Sequence, residues 1–115
     1  AEEQLYASFP SELQHVARAI GFDDLFSPRL QQIAGRLHLS SRSLQRKLLQ
    51  HGATFSKLVQ RNRLLKSSYY LLQSDVPLPE IGFLSGFTDQ SHFCRVLKSN
   101  IGMSPQVYRG IVNTR

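Results

Sequence analysis

Cysteine is nearly absent: Cys94 stands alone in 115 residues, so no internal disulfide framework can form, which fits a reducing compartment. Long apolar runs are missing as well, and none approaches the roughly 20 residues that a membrane span requires. No basic start followed by an apolar stretch marks a signal peptide. No P-loop, dinucleotide fingerprint or nucleophile–base arrangement occurs, so enzymes are the least favoured class and no cofactor is expected. His15, His38, His51, His92 and Cys94 lack metal-ligand spacing, so no zinc site is expected either. Acidic residues are scarce past the first quarter of the chain. Residues 1–30 hold two basic and five acidic residues, a net of −3, whereas residues 31–115 hold twelve basic and three acidic, a net of +9. A segment so basic suits a polyanion, because each neutralised phosphate releases counterions.

What is present reads almost entirely as helix; no alternating strand pattern is found. Leu13, Val16, Ala17 and Ile20 recur at helical spacing over 11–20, with Ser11 as N-cap after Pro10 and Gly21 as the stop. Ser27 and Pro28 form a second start signal, and Leu30, Ile33, Ala34 and Leu37 then share one face. Ser40 caps a helix running to about Gln50, with Leu44 and Leu48 inward and Arg42, Gln45 and Arg46 on the opposite side. The longest helix is expected at about 55–73, with Phe55, Leu58, Val59, Leu65, Leu71 and Leu72 apolar. Pro79 opens a short helix carrying Ile81 and Leu84 up to Gly86. Thr88 or Asp89 caps the next, to about Ser99, with Phe93, Val96 and Leu97 inward. Its outer side holds Ser91, His92, Arg95 and Lys98, with Gln90 at the flank, and Ser104-Pro105 starts a last helix ending near Tyr108 and Arg109.

One arrangement therefore occurs twice, at 28–50 and 79–99: a short helix, a short turn and a second helix with a polar outer face. Helix-turn-helix geometry has this form, the first helix bracing a second that enters the major groove. Arg pairs with guanine O6 and N7, and Gln with adenine N6 and N7, so Arg42, Gln45 and Arg46, then Gln90, His92 and Arg95, are candidate base readers. Ser41, Lys47, Lys57, Thr88 and Lys98 are candidates for phosphate. A connecting helix of about 18 residues spans about 27 Å. With its turns it can set two reading heads near one DNA turn, about 34 Å, apart.

The stretch GFTDQSHFCRVLKSNIGMSPQVYR (86–109) closely resembles the closing signature of AraC/XylS regulators, and IAGRLHLSSRSLQRKL (33–48) their first unit. Arg63 and the Tyr70-Leu71 pair match the family's linker helix, and the resemblance covers about residues 28–110. Departures are Gly82 where alanine is usual, Leu97 and Ile101 in place of aromatics, and a shortened link ending in Gly52-Ala53-Thr54-Phe55. Gly82 should soften its helix by about 1 kcal/mol and leave the second unit the more mobile. The resemblance implies the same DNA-facing residues, Arg42, Gln45, Arg46, Gln90, His92 and Arg95, and adds Ser91. It further implies a bacterial transcription regulator, usually an activator, working with RNA polymerase in the cytoplasm at the nucleoid. An effector-binding domain would then lie outside these residues; the chain starts at Ala1 and is expected to be part of a longer protein.

The expected architecture is all-α, two homeodomain-like helix-turn-helix subdomains joined by a long helix. Its parts are an N-terminal linker and helix (1–27), the first unit (28–53), the linker helix (54–74), the second unit (75–110) and a tail (111–115). The rival class is a helical protein- or RNA-interaction module. Surface aromatics for stacking would favour RNA, and Phe83, Phe87 and Phe93 are instead expected in the core. Cys94 is expected to be a partly packed, inert thiol, and Asp23-Asp24 a solvated connection.

Overall fold

In the computed structural model, residues 6–7, 9–22 and 24–113 are described; Asp23, half of the Asp23-Asp24 pair, lies outside them, as do the ends of the expected N-terminal linker and tail. Among the described residues there are seven α-helices and no strand: α1 Gln14–Ile20, α2 Leu30–Arg36, α3 Ser41–Gln50, α4 Phe55–Gln73, α5 Leu78–Leu84, α6 Gln90–Ile101 and α7 Pro105–Asn113. The chain divides into two compact units, residues 1–62 and 63–115, with the division inside α4.

In the first unit α1 packs on α2 and α2 on α3. The stretch before α2 supplies much of the buried surface, through Phe9, Leu13, Val16, Ala17, Ile20, Phe22 and Leu25, alongside Ile33, Ala34, Leu44 and Leu48. Two polar side chains lock it in place. Buried Asn62 of α4 donates through Nδ2 to Ala17 O (3.2 Å) and Gly21 O (2.8 Å), and Arg36 Nη1 donates to Ala19 O (2.7 Å). The segment expected to be a linker is thus part of the first unit's core.

Two expected helix starts shift. Arg29 is still extended (φ −107°, ψ 136°), so α2 begins at Leu30 and neither Ser27 nor Pro28 takes the expected place at its start. Ser11 does not cap α1 either: a single 3-10 turn, Ser11–Leu13, precedes the helix, with Pro10 in the capping position and no side-chain bond.

The second unit is built on Leu71, Ile81, Phe87, Phe93 and Leu97, which form one buried cluster. α7 extends past the expected end near Tyr108 to Asn113, and its Arg109 reaches back to the end of α4. There the guanidinium donates to Val76 O (2.7 Å), Tyr70 O (3.1 Å), Ser74 O (3.3 Å) and Leu71 O (3.4 Å). Carbonyls at a helix end have no intrahelical partner, and the five-donor fork of arginine suits such a cluster.

Phe83 differs from expectation: it is 62% exposed, while Phe87 and Phe93 are buried. On α5 the inward direction is taken by Ile81 and Gly82, and Phe83, about 100° further round, turns outward. Leu84 and Leu72, apolar positions of α5 and α4, are exposed as well.

The two helix-turn-helix turns share one bonding pattern. Leu39 N donates to Ala34 O and His38 N to Gly35 O in the first; Phe87 N donates to Gly82 O and Gly86 N to Phe83 O in the second. This closure requires a left-handed residue, supplied by His38 (φ +58°) in one unit and Gly86 (φ +98°) in the other. Ala34 and Gly82 are therefore equivalent, both buried where the two helices meet. The second turn is one residue longer, which sets Phe93 in the place of Leu44. A Cβ on Gly82 would stand 2.8 Å from Phe93 Cδ2 and 2.9 Å from Cγ. Gly82 thus compensates for the larger ring beneath it, and the departure read as a softening of the helix is a point of close packing.

Candidate nucleic-acid interface

Helix α3 begins on Ser40, whose Oγ accepts from Ser43 N at 3.1 Å, satisfying one of the amide donors that a helix start leaves open. Leu44 and Leu48 are buried beneath it, which fixes its rotation. That rotation exposes Arg42, Gln45 and Arg46 together, and with Leu49 and Gln50 they line one open hollow that contains no acidic side chain. The sequence reading missed Leu49. It is 67% exposed at the centre of this polar face, and the signal was its place one residue past inward Leu48, on the Gln45 side of the wheel. An exposed aliphatic side chain among Arg and Gln suits contact with a thymine methyl group.

The candidate phosphate residues divide. Ser41 is half-buried at the first turn of α3, and Lys57 is exposed near the start of α4. Lys47 is half-buried, its Nζ 2.7 Å from His15 Nε2, so in the free chain its ammonium is committed to α1 rather than turned outward. Burial, and secondarily the charge of Lys47, hold the His15 imidazole below its ordinary pKa. The neutral ring therefore accepts the lysine's proton donor at Nε2.

In the second unit Asp89, rather than Thr88, caps α6: its Oδ1 accepts from Ser91 N at 2.9 Å. Phe93 and Leu97 lie beneath, and Ser91, His92, Arg95 and Lys98 are exposed, as is Thr88 on the preceding turn. The His92 ring stands edge-on to Phe87 at 5.8 Å and 76°, which holds it against the buried part of the helix-turn-helix turn. Gln90 is also exposed, but its amide donates to Leu78 O of α5 at 3.3 Å. Cys94 is half-buried on the flank of α6. Among the described residues no group of three or more His, Cys, Asp or Glu is placed to hold a metal ion, and no helix is long and apolar enough to cross a membrane.

Each unit thus presents a braced helix whose capped start and polar face point to solvent. Arginines occupy equivalent positions, Arg46 on α3 and Arg95 on α6. The side chains between them differ: Arg42, Ser43 and Gln45 in one unit, Ser91, His92 and Cys94 in the other. Such faces can offer bidentate donors to base edges and charge to phosphates, and the donors offered differ between the two units.

Residues 33–111 match the sequence profile of a family described as a helix-turn-helix domain. The ornithine utilization regulator of Pseudomonas aeruginosa is 39% identical over 82 residues, covering 71% of this chain and 24% of the regulator. The transcriptional activator RhaS of Escherichia fergusonii is 35% identical over 96 residues, 83% of this chain and 32% of the activator. The chain therefore spans about a quarter to a third of the length of these curated relatives. Among solved structures, a DNA-binding transcriptional dual regulator from Escherichia coli K-12 aligns with a TM-score of 0.83 at 21% identity, over 94% of this chain and 97% of that one. The C-terminal domain of AraT, a response regulator from Geobacillus stearothermophilus, aligns with a TM-score of 0.69 at 27% identity, over 94% and 88% of the two chains.

Proposed function

The chain belongs to the AraC/XylS family of helix-turn-helix transcription regulators, and on that footing we propose that it reads two successive major-groove segments of duplex DNA, one with α3 and one with α6. The observation that carries this is the joint exposure of Arg42, Gln45 and Arg46 on a helix rotated into place by buried Leu44 and Leu48. In the first unit these three side chains specify sequence, with Leu49 beside them. In the second, Ser91, His92 and Arg95 do so. Ser41, Lys57, Thr88 and Lys98 hold phosphate oxygens. Lys47 does the same only once its bond to His15 is given up. The full-length protein acts in the bacterial cytoplasm as a transcription activator, with RNA polymerase as partner and with any small-molecule effector bound outside these residues.

Selection of the purified chain on random duplexes, followed by fluorescence anisotropy across a salt series, tests this. A selected motif with two segments about one helical turn apart is expected. Arg46→Ala should cost about 1–3 kcal/mol on the selected site and relax base preference in one segment only. Steep salt dependence with no selectable sequence would leave only a basic surface and end the proposal.

A further inference from the structure

We infer that Gln90 is a positioning residue, holding the start of the second recognition helix against α5, and not a reader of bases; this rests on the DNA-binding reading above. Gln90 Nε2 donates to Leu78 O, in the first turn of α5, at 3.3 Å. The other end of the same amide lies over α5: Oε1 is 2.8 Å from the point that a Cβ on Gly82 would occupy. The amide thus lies along α5 in the room that glycine leaves. Reading adenine would require both ends of that amide to face a base edge, and so would require the bond to Leu78 O to be given up.

The equivalence of the two units points the same way. Gln90 is the first residue of α6, the place held in the first unit by half-buried Ser41, ahead of the reading face that starts at Arg42. One turn further on, Cys94 stands where the first unit has Gln45, and Gln90 Nε2 lies 4.0 Å from its Sγ. The second unit therefore has a half-buried thiol at the place of the first unit's glutamine, with an amide from the preceding turn laid over it. Gly82 is what makes this possible. With alanine there, as Ala34 is in the first unit, the new methyl would meet Gln90 Oε1 and the Phe93 ring at once. Gln90 and Gly82 together fix how far α6 tips from α5, and so where Ser91, His92 and Arg95 meet the groove. Base discrimination in this half of the site falls to those three.

The test is parallel selection on random duplexes with the wild-type chain, Gln90→Ala, Gln90→Glu and Arg46→Ala, each variant also melted thermally. Arg46→Ala identifies the half-site of the first unit. Glutamate keeps the size of Gln90 but cannot donate to Leu78 O. Both Gln90 variants should lose about five- to tenfold in affinity, the effect of one hydrogen bond, with base preferences in the second half-site flattening together and the first half-site intact. Gly82→Ala should flatten the same half-site. Relaxation at one base pair in Gln90→Ala, or a new cytosine preference at one position in Gln90→Glu, would show a base reader and overturn the inference. So would a lowered melting temperature with the second half-site unchanged. A wild-type motif lacking that half-site would overturn it as well. Failure of the wild-type chain to select any sequence would instead remove the DNA-binding reading, and this inference with it.

Discussion

His15 and Lys47 form a contact whose strength depends on proton concentration. Burial and the neighbouring ammonium hold the folded His15 below its ordinary pKa, so in an acidifying solution the unfolded chain takes up the proton first. The stability this gives is complete above about pH 6.5, the ordinary histidine value, and is lost as pH falls through the folded value. Thermal melts of the wild-type chain and His15→Gln between pH 7.5 and pH 5 (roughly one unit above to one and a half below that value) should show a shallower decline for the variant. Equal slopes would mean that the titration lies elsewhere. His38 offers a second residue-scale prediction. It holds a left-handed backbone (φ +58°) where the second unit uses Gly86. A non-glycine residue there costs about 1–2 kcal/mol, partly offset by the entropy glycine loses on folding. His38→Gly should therefore stabilise by about 0.5–1 kcal/mol in urea unfolding. No gain would mean that the imidazole makes compensating contacts.

Elements whose limits depend on a side chain bonding to its own backbone were legible in the sequence. Ser40 begins α3 as expected, and α4 occupies the expected 55–73, because capping and 3.6-residue periodicity are local properties. Ser40→Ala and Asp89→Ala should each cost about 1 kcal/mol, measured by chemical denaturation, through loss of the bonds to Ser43 N and Ser91 N. An unchanged midpoint for either would show that cap to be replaceable by water. Elements set by partners distant in sequence were less legible. Phe83 was expected in the core because an aromatic in a short apolar helix usually is, yet seven residues bury only a narrow stripe, and Ile81 with Gly82 takes it. Gly82 was read from its propensity alone. Its role follows from the volume of Phe93, eleven residues on, which only the folded packing reveals. The candidate readers on α3 were legible because an outward face follows from the inward one, whereas Gln90 on the flank of α6 could not be oriented by the wheel.

At the scale of the whole molecule, the N-terminal stretch is the part the sequence reading valued least. Phe9, Leu13, Val16, Ala17, Ile20, Phe22 and Leu25 are all buried, so removing residues 1–27 should strip the first unit of much of its core. Circular dichroism of the shortened chain should lose the helical signal of the first unit while the second keeps its own transition; retention of both would show the stretch to be dispensable. The cluster of carbonyls around Arg109 has a consequence in time as well as in space. A ribosome adds about 5–20 residues per second, and N-terminal parts emerge first. The first unit has its buried core and the Asn62 bonds once residue 62 is out. The end of α4 must wait for Arg109, the one side chain that bonds four carbonyls there, and that residue follows Asn62 by 47 positions (109 − 62). For roughly 2 to 9 s of each synthesis, on those rates, the nascent chain carries one finished helix-turn-helix unit and one that cannot yet close.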